Sequence, residues 1–384
     1  MIKPLFYSII FLSLLALAAA CAPSLTPTPA LTPPSSTASP SPPTAAKAPV
    51  LTAEEAAWQK IIDAAKKEGK VTIYSYNFVG DIGVAMERGF ENRYGIQTDI
   101  LTGRGAEFFE RLKTEKRMGN LVGDLTEGSA VHIQNMKNEG LTVGIAADLP
   151  VLREKDVWLA DILAMDPVDN HALACSFLTF TPYVNTKFVK AGEEPKQWKD
   201  LLLPRWKGQM VLTDPLTSGG PQQLFVTLMR EKVIDEDYLK ALYKQDLRFS
   251  SSIIDEGRLI STGERTLSIR GQDNIYSRFA AEGAPIKAVP MDDGTIISAN
   301  TTTAFAKAPH PNAAKVFINW FLSAEGQDTY AKASVNSAIR KDVKNYLTPA
   351  VQITAKRPMV QTNADLQLAT KLFTDRWLDK LWGR

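Results

Sequence analysis

The sequence predicts an α/β protein of two lobes joined by two crossing strands. Three observations carry that prediction. Helical and strand periodicities alternate from Thr52 onward, the pattern of a mostly parallel sheet covered on both faces. Two long apolar, threonine-rich runs, Ala172 to Tyr183 and Gly294 to Ala306, bracket a second alternating set. No linker composition occurs after residue 50, which argues against two tandem domains. The chain would leave the first lobe along one run, build the second, and return along the other. Two crossings make a hinge.

Taken in order, Thr52 can cap the first helix while Glu55 reaches back to it, a capping box. Trp58, Ile61, Ile62 and Ala65 recur on one face, and Gly69 ends the helix. Val71 to Ser75 reads as a strand, Asp81 to Arg93 as a helix around Met86 and Phe90, and Ile96 to Leu101 as a second strand. A helix from Glu107 to Arg117 and a strand from Val122 to Thr126 complete the first set. The second set reads as strand Gln209–Leu212, helices Gln222–Arg230 and Asp235–Tyr243, strand Thr266–Arg270, helix Ile275–Ala281 and strand Ile286–Val289. Helices such as Pro311–Phe321 follow, and the last forty or so residues are expected as helices on the outside. Lobe I is thus placed at residues 51–175, lobe II at 176–298, and the return to lobe I with C-terminal helices at 299–384.

The first fifty residues have another character. Lys3, the apolar run Leu5 to Leu17 and Ala18-Ala19-Ala20-Cys21 form the pattern of a secretory signal at 1–20, with Cys21 the acylated residue of a lipoprotein. Residues 21–50 are almost entirely Pro, Ser, Thr and Ala with Lys47 the only charge, so they cannot bury enough apolar surface to fold. At about 3.1 Å per residue such a tether spans several tens of ångströms. Lys and Arg number 44 against 42 Asp and Glu, a balance that implies neither nucleic acid nor an anionic membrane surface as partner. Beyond Cys21 only Cys175 remains, which excludes an internal disulfide in the folded part and predicts a buried thiol. The expected product is an exported monomer, lipid-anchored on the outer face of the cell membrane.

Several motifs then match a family. The helix Glu54–Lys70 with strand Val71–Tyr74, the Tyr94-Gly-Ile strand entry, Gly103-Arg-Gly-Ala-Glu107 and Trp198-Lys-Asp-Leu201 through Pro204-Arg-Trp-Lys-Gly208 resemble the family 1 extracellular solute-binding proteins of ABC importers. Asp214-Pro215, Ser218-Gly219, Gly283-Ala-Pro285 and Pro311-Asn-Ala-Ala through Phe317-Ile318 extend the resemblance from residue 54 to about residue 345. It implies the type 2 periplasmic-binding fold, with a solute enclosed between lobes that close on it, and a permease and its ATPase as partners.

In open α/β sheets ligands sit beyond the carboxyl ends of the strands. That rule selects Tyr76, Asn77, Arg104 and Ser129 in the first lobe, and Ser218, Gly219, Arg270, Asn274 and Tyr276 in the second. Three features point to an anion. Ser218-Gly-Gly-Pro precedes a helix, where a hydroxyl, backbone N–H groups and the helix dipole converge. Arg104 stands between two glycines that allow close backbone approach. Arg270 ends a strand at the cleft and can grip a carboxylate or phosphate with two parallel hydrogen bonds.

Ferric iron is the alternative cargo that the resemblance raises. It implies adjacent tyrosines before the second-lobe helix, a histidine after the first strand and a glutamate after the third. Asn274 and Ile275 occupy the tyrosine places, Phe78 the histidine place and Ser129 the glutamate place, where a one-residue shift would bring Glu127 close. Glu127 and Tyr276 are therefore the candidate metal ligands of that alternative. The histidines, His132, His171 and His310, have no metal-ligand spacing. An enzyme is not expected, since no catalytic signature, Walker loop or complete dinucleotide fingerprint occurs, and no cofactor is expected. A ligand sensor without transport is the remaining alternative.

Overall fold

In the computed structural model the described residues are 51–159, 163, 166 and 169–384; the expected signal peptide, Cys21 and tether lie outside them. The first helix, α1 (Ala53–Glu68), opens as its caps dictate. Thr52 Oγ1 accepts from the Glu55 N–H at 3.2 Å, and Glu55 Oε2 accepts from the Thr52 N–H at 2.8 Å. Gly69, at φ +72°, ends it in the left-handed conformation that glycine adopts without strain. Then follow β1 (Lys70–Ser75), α2 (Asp81–Tyr94), β2 (Gln97–Thr102) and α3 (Gly105–Met118).

The third strand departs from expectation. β3 spans Leu125–Ser129, three residues later than predicted, because Asp124 does other work. Its carboxylate accepts from the Thr72 N–H at 2.7 Å and from the His310 N–H at 2.7 Å, holding residue 124 off the strand path. The shift carries Glu127, Gly128 and Ser129 to the strand's carboxyl end. Helix α4 (Ala130–Asn138), absent from the sequence expectation, starts directly there, followed by β4 (Thr142–Val143) and the long β5 (Leu173–Asn185).

The second set comprises β6 (Met210–Thr213), α5 (Gly220–Arg230), α6 (Glu236–Tyr243), β7 (Arg248–Ser250), α7 (Ile253–Thr262), β8 (Leu267–Gln272), α8 (Asp273–Ala281) and β9 (Ile286–Ala288). β7 and α7 are absent from the sequence expectation, although Ser252 caps α7 by accepting from the Asp255 N–H and Gly263 ends it. β10 (Thr295–Phe305), α9 (Pro311–Leu322), α10 (Ala324–Ser334), β11 (Pro358–Val360), α11 (Asn363–Thr374) and α12 (Trp377–Trp382) complete the chain.

Eleven strands join in one curled sheet of order β2-β1-β3-β10-β5-β8-β6-β7, with β4 and β11 on β10 and β9 on β5. Each outer set is parallel, and the two long strands between them run antiparallel to each other and to their outer neighbours. β10 pairs with β3 through Asn300–Ala304, and β5 with β8 through Phe180–Val184. These are the two crossings. Both carry register shifts, at Asn300/Thr301 and at Thr181/Tyr183, where a bulge bends a strand. Separate apolar cores lie on either side. Ile73, Phe90, Phe317 and Trp320 sit in one, and Trp198, Leu224, Phe225 and Leu239 in the other. No helix among the described residues is long and apolar enough to cross a membrane.

Candidate functional site

The carboxyl ends of β3, β6 and β8 face one cavity of about 760 Å³. The first lobe contributes Tyr76, Asn77, Arg104, Glu127 and Ser129 to its wall, and the second contributes Ser218, Gly219 and Arg270. Asn300 of β10 and Phe180 of β5 form the floor between them.

On the first-lobe side Glu127 is the organiser. It is 2% exposed, and its carboxylate accepts from Ser75 Oγ at 2.8 Å, from the Asn77 N–H at 3.2 Å and from the Asn77 side-chain amide. Burial raises its pKa above the ordinary carboxylate range. Glu127 thereby fixes the turn that presents Tyr76, which is 55% exposed in the cleft. Arg104 is exposed and makes no ion pair, so its guanidinium is free to meet a solute. Gly105 has a different role from the expected close approach to ligand: a Cβ there would lie 2.1 Å from the His132 ring. His132, one turn into α4, also lines the cavity, and burial depresses its pKa, keeping the imidazole neutral.

On the second-lobe side Asp214 shapes the loop before α5. Its carbonyl accepts from the Thr217 and Ser218 N–H groups at 3.0 and 3.1 Å, and its Oδ1 from the Leu216 N–H at 3.0 Å. Ser218 Oγ accepts from the Gly220 N–H at 3.2 Å, which leaves the hydroxyl proton available to a ligand.

Arg270, on β8, is the focus. It is 6% exposed, pairs with no carboxylate, and its Nε is buried without a hydrogen-bond partner. Its guanidinium lies 4.1 Å from the Phe180 ring centroid and packs so closely on Gly220 that a Cβ there would come within 2.9 Å of Cζ. Burial lowers its pKa to about 10, which leaves it charged at neutral pH. Glu256, fully buried on α7, opposes the effect of burial on Arg270 only to the extent that it is ionised. Glu256 accepts from Thr213 Oγ1 at 2.6 Å and from Ser268 Oγ, and burial pushes its pKa up to about 7. Glu256 holds this place without forming an ion pair with Arg270. A cation with unfilled donors in a concave wall, beside a helix N-terminus, is suited to an oxyanion.

Two expected residues do not line the cavity. Tyr276 is fully buried, stacked at a tilt on Tyr183 with centroids 4.4 Å apart, and its hydroxyl donates to Ser268 Oγ at 2.9 Å. Asn274 accepts from Gln272 Nε2 at 2.7 Å beside the cleft. The cause is that α8 begins at Asp273, two residues before the expected Ile275, which turns the Tyr276 ring into the lobe. Phe78, the residue at the histidine place, is likewise 1% exposed and packs on Phe321. The same geometry separates the two residues named for the metal alternative. Tyr276 is buried behind β8 and Glu127 is committed under the first-lobe turn, so they do not assemble one site. Among the described residues no three His, Cys, Asp or Glu side chains group to hold a metal ion. Besides His132, the sequence reading missed Ser251, Ser252 and Ile253 before and in α7, and Leu366 of α11, all of which line the cavity. The Ser252 cap was the available signal for the first three.

A family model described as bacterial extracellular solute-binding protein matches residues 128–363. An uncharacterised protein of Haemophilus influenzae is 24% identical over 347 residues, covering 86% of this chain and 96% of its own length. Among solved structures, the periplasmic binding protein AfuA from Actinobacillus pleuropneumoniae, with fructose-6-phosphate bound, matches with a TM-score of 0.63 at 22% identity, over 82% of this chain and 98% of that one. Iron-bound HitA from Pseudomonas aeruginosa matches with a TM-score of 0.62 at 19% identity, over 80% and 98% of the two chains. At these identities the structures establish the two-lobed periplasmic binding protein fold.

Proposed function

The chain belongs to the bacterial extracellular solute-binding proteins, and from that premise we propose that it captures a small anionic solute between its lobes and delivers it to an ABC permease and its ATPase. The observation that carries this reading is the Arg270 guanidinium, buried in the cavity wall with no carboxylate partner and Nε unfilled. An unpaired buried cation is costly, and a solute phosphate or carboxylate supplies what the protein withholds. Ser218 and Gly219 at the α5 N-terminus add donors on the same wall, and Arg104 and Ser129 face them across the cleft. Only the closed form places both sets on one solute, so the solute shifts the population by its differential affinity. Acylation of Cys21 and the Pro-rich tether would keep this capture within reach of the permease.

Thermal shift of the purified chain against small anions, each with and without ferric iron, tests the reading. A solute at a hundred times its dissociation constant adds about 2.7 kcal/mol, which moves the midpoint of a domain this size by a few degrees. A shift with an organic phosphate or carboxylate alone supports the anion site. A shift that requires iron replaces it with a metal–anion cargo, whose remaining oxygen donors the solute would have to bring. Loss of uptake in cells lacking the protein separates transport from sensing.

A further inference from the structure

The C-terminal helices pack on the outside as amphipathic elements, and most of the segment is fastened to the second lobe. Met359 fills the space above Gly294, and Leu378 and Trp382 sit in the second-lobe core. Gln361 Nε2 donates to the Gln223 carbonyl at 2.8 Å and to Thr227 Oγ1 at 3.1 Å, both on α5. Asp365 pairs with Arg230 at 2.9 Å, and the Phe373 ring lies against Gly219. Two side chains of α11 face the other way. Leu366, 3% exposed, belongs to the first-lobe core together with Ala130 and Val131 of α4. Asn363 Nδ2 donates to Gln134 Oε1, also on α4, at 2.7 Å.

We infer that α11 is a latch carried by the second lobe and closing onto α4 of the first, with Leu366 and Asn363 as positioning residues for solute capture. The inference rests on reading the cavity as the solute site, since Leu366 is part of its wall. When the lobes separate about β5 and β10, α11 travels with α5. Leu366 then leaves the first-lobe core and exposes apolar surface to water, and Asn363 exchanges its partner for solvent. Both changes disfavour opening whether or not a solute is present. Apparent affinity scales with the fraction of molecules in the binding-competent state, so weakening the latch weakens every solute by one common factor. Changing Arg270, which meets the anion itself, weakens solutes unequally.

Hydrogen exchange of the full chain without ligand tests this directly. Leu366→Ala should speed exchange at the α4 amides roughly tenfold, and Asn363→Ala by a few fold, with α6 and α12 unchanged. Leu366→Met, which keeps the apolar volume, should restore the wild-type rate. Unaltered α4 exchange in both alanine variants overturns the latch. So does a rise of equal size through α5, α6 and α12, which would make α11 a brace of the second lobe alone. Calorimetric titration with inorganic phosphate separates the two ideas. If phosphate binds the wild type, both alanine variants should weaken it and any second anion by the same ratio, and unequal ratios count against the latch. If the wild type ignores every anion while α4 exchange still responds, the solute reading fails and the latch stands.

Discussion

Arg384 donates from one guanidinium nitrogen to both carboxylate oxygens of Asp214, at 3.1 and 3.0 Å, while stacking 4.2 Å from the Phe249 centroid. Asp214 is the residue whose carbonyl gathers Thr217 and Ser218 into the loop before α5. The C-terminal segment therefore buttresses the anion-facing loop as well as bridging the lobes.

Arg384→Ala should weaken anion binding by about three- to tenfold while leaving the loop's sequence untouched. The pair is about four-fifths buried on both sides, so its loss should also cost roughly 1–2 kcal/mol of stability. Calorimetry on the anion that stabilises the wild type checks the first effect, and urea denaturation the second. Wild-type affinity in this variant would mean that Asp214 holds the loop unaided.

Glu256 makes stability depend on pH in a direction opposite to that of ordinary ion-paired carboxylates. Burial pushes its pKa from 4.5 to about 7, so the folded protein keeps a proton there that the unfolded chain has released. The contribution is complete below pH 4.5 and is lost as the pH rises through 7, a change on the order of 3 kcal/mol. Asp273, pushed up to about 6 by burial, acts in the same sense, whereas the depressed pKa values of His132 and His171 oppose it. Glu256→Gln should flatten the fall in urea midpoint between about pH 5 and pH 8. A variant that follows the wild-type profile would place the titration elsewhere.

Tyr276→Phe should leave solute affinity and any response to ferric iron unchanged, because the phenol is enclosed behind β8 and donates to Ser268. Its expected cost is about 1 kcal/mol for the lost hydrogen bond. Loss of an iron-dependent thermal shift in this variant would instead make Tyr276 a ligand and require α8 to rearrange on binding.

The parts of the site legible in the sequence were those governed by local rules. The glycines before α5 and the strand that carries Arg270, like the Thr52 cap elsewhere in the fold, announce themselves because capping, strand periodicity and close approach depend on a few adjacent residues. Tyr276 and Asn274 were misplaced because helix starts are poorly fixed by periodicity, and a two-residue shift at Asp273 turns their side chains by more than half a turn. Gly105 was legible as a close approach, but what approaches is His132 of α4, separated from it by the rest of α3, a loop and β3. Leu366 carries no signal at all: apolar periodicity shows that a face is buried, not which of two lobes buries it.

Arg270 offers the sharpest test of the cleft. Truncation to Ala removes the group that meets the anion, and affinity should fall by about a hundredfold or more, since charge-assisted bonds at a buried site are worth several kcal/mol. Stability of the ligand-free protein should stay within about 1 kcal/mol, because the lost Phe180 contact is offset by removal of a buried, unfilled donor. Arg270→Lys keeps the charge without the planar fork and should recover only part of the affinity, most for a phosphate and least for a carboxylate gripped by two parallel bonds. Titration of both variants across a phosphate and a carboxylate ligand reads all of these effects. Full affinity in Arg270→Ala would remove Arg270 from the site and shift the anion to Arg104 on the opposite lobe, where the same titration on Arg104→Ala decides.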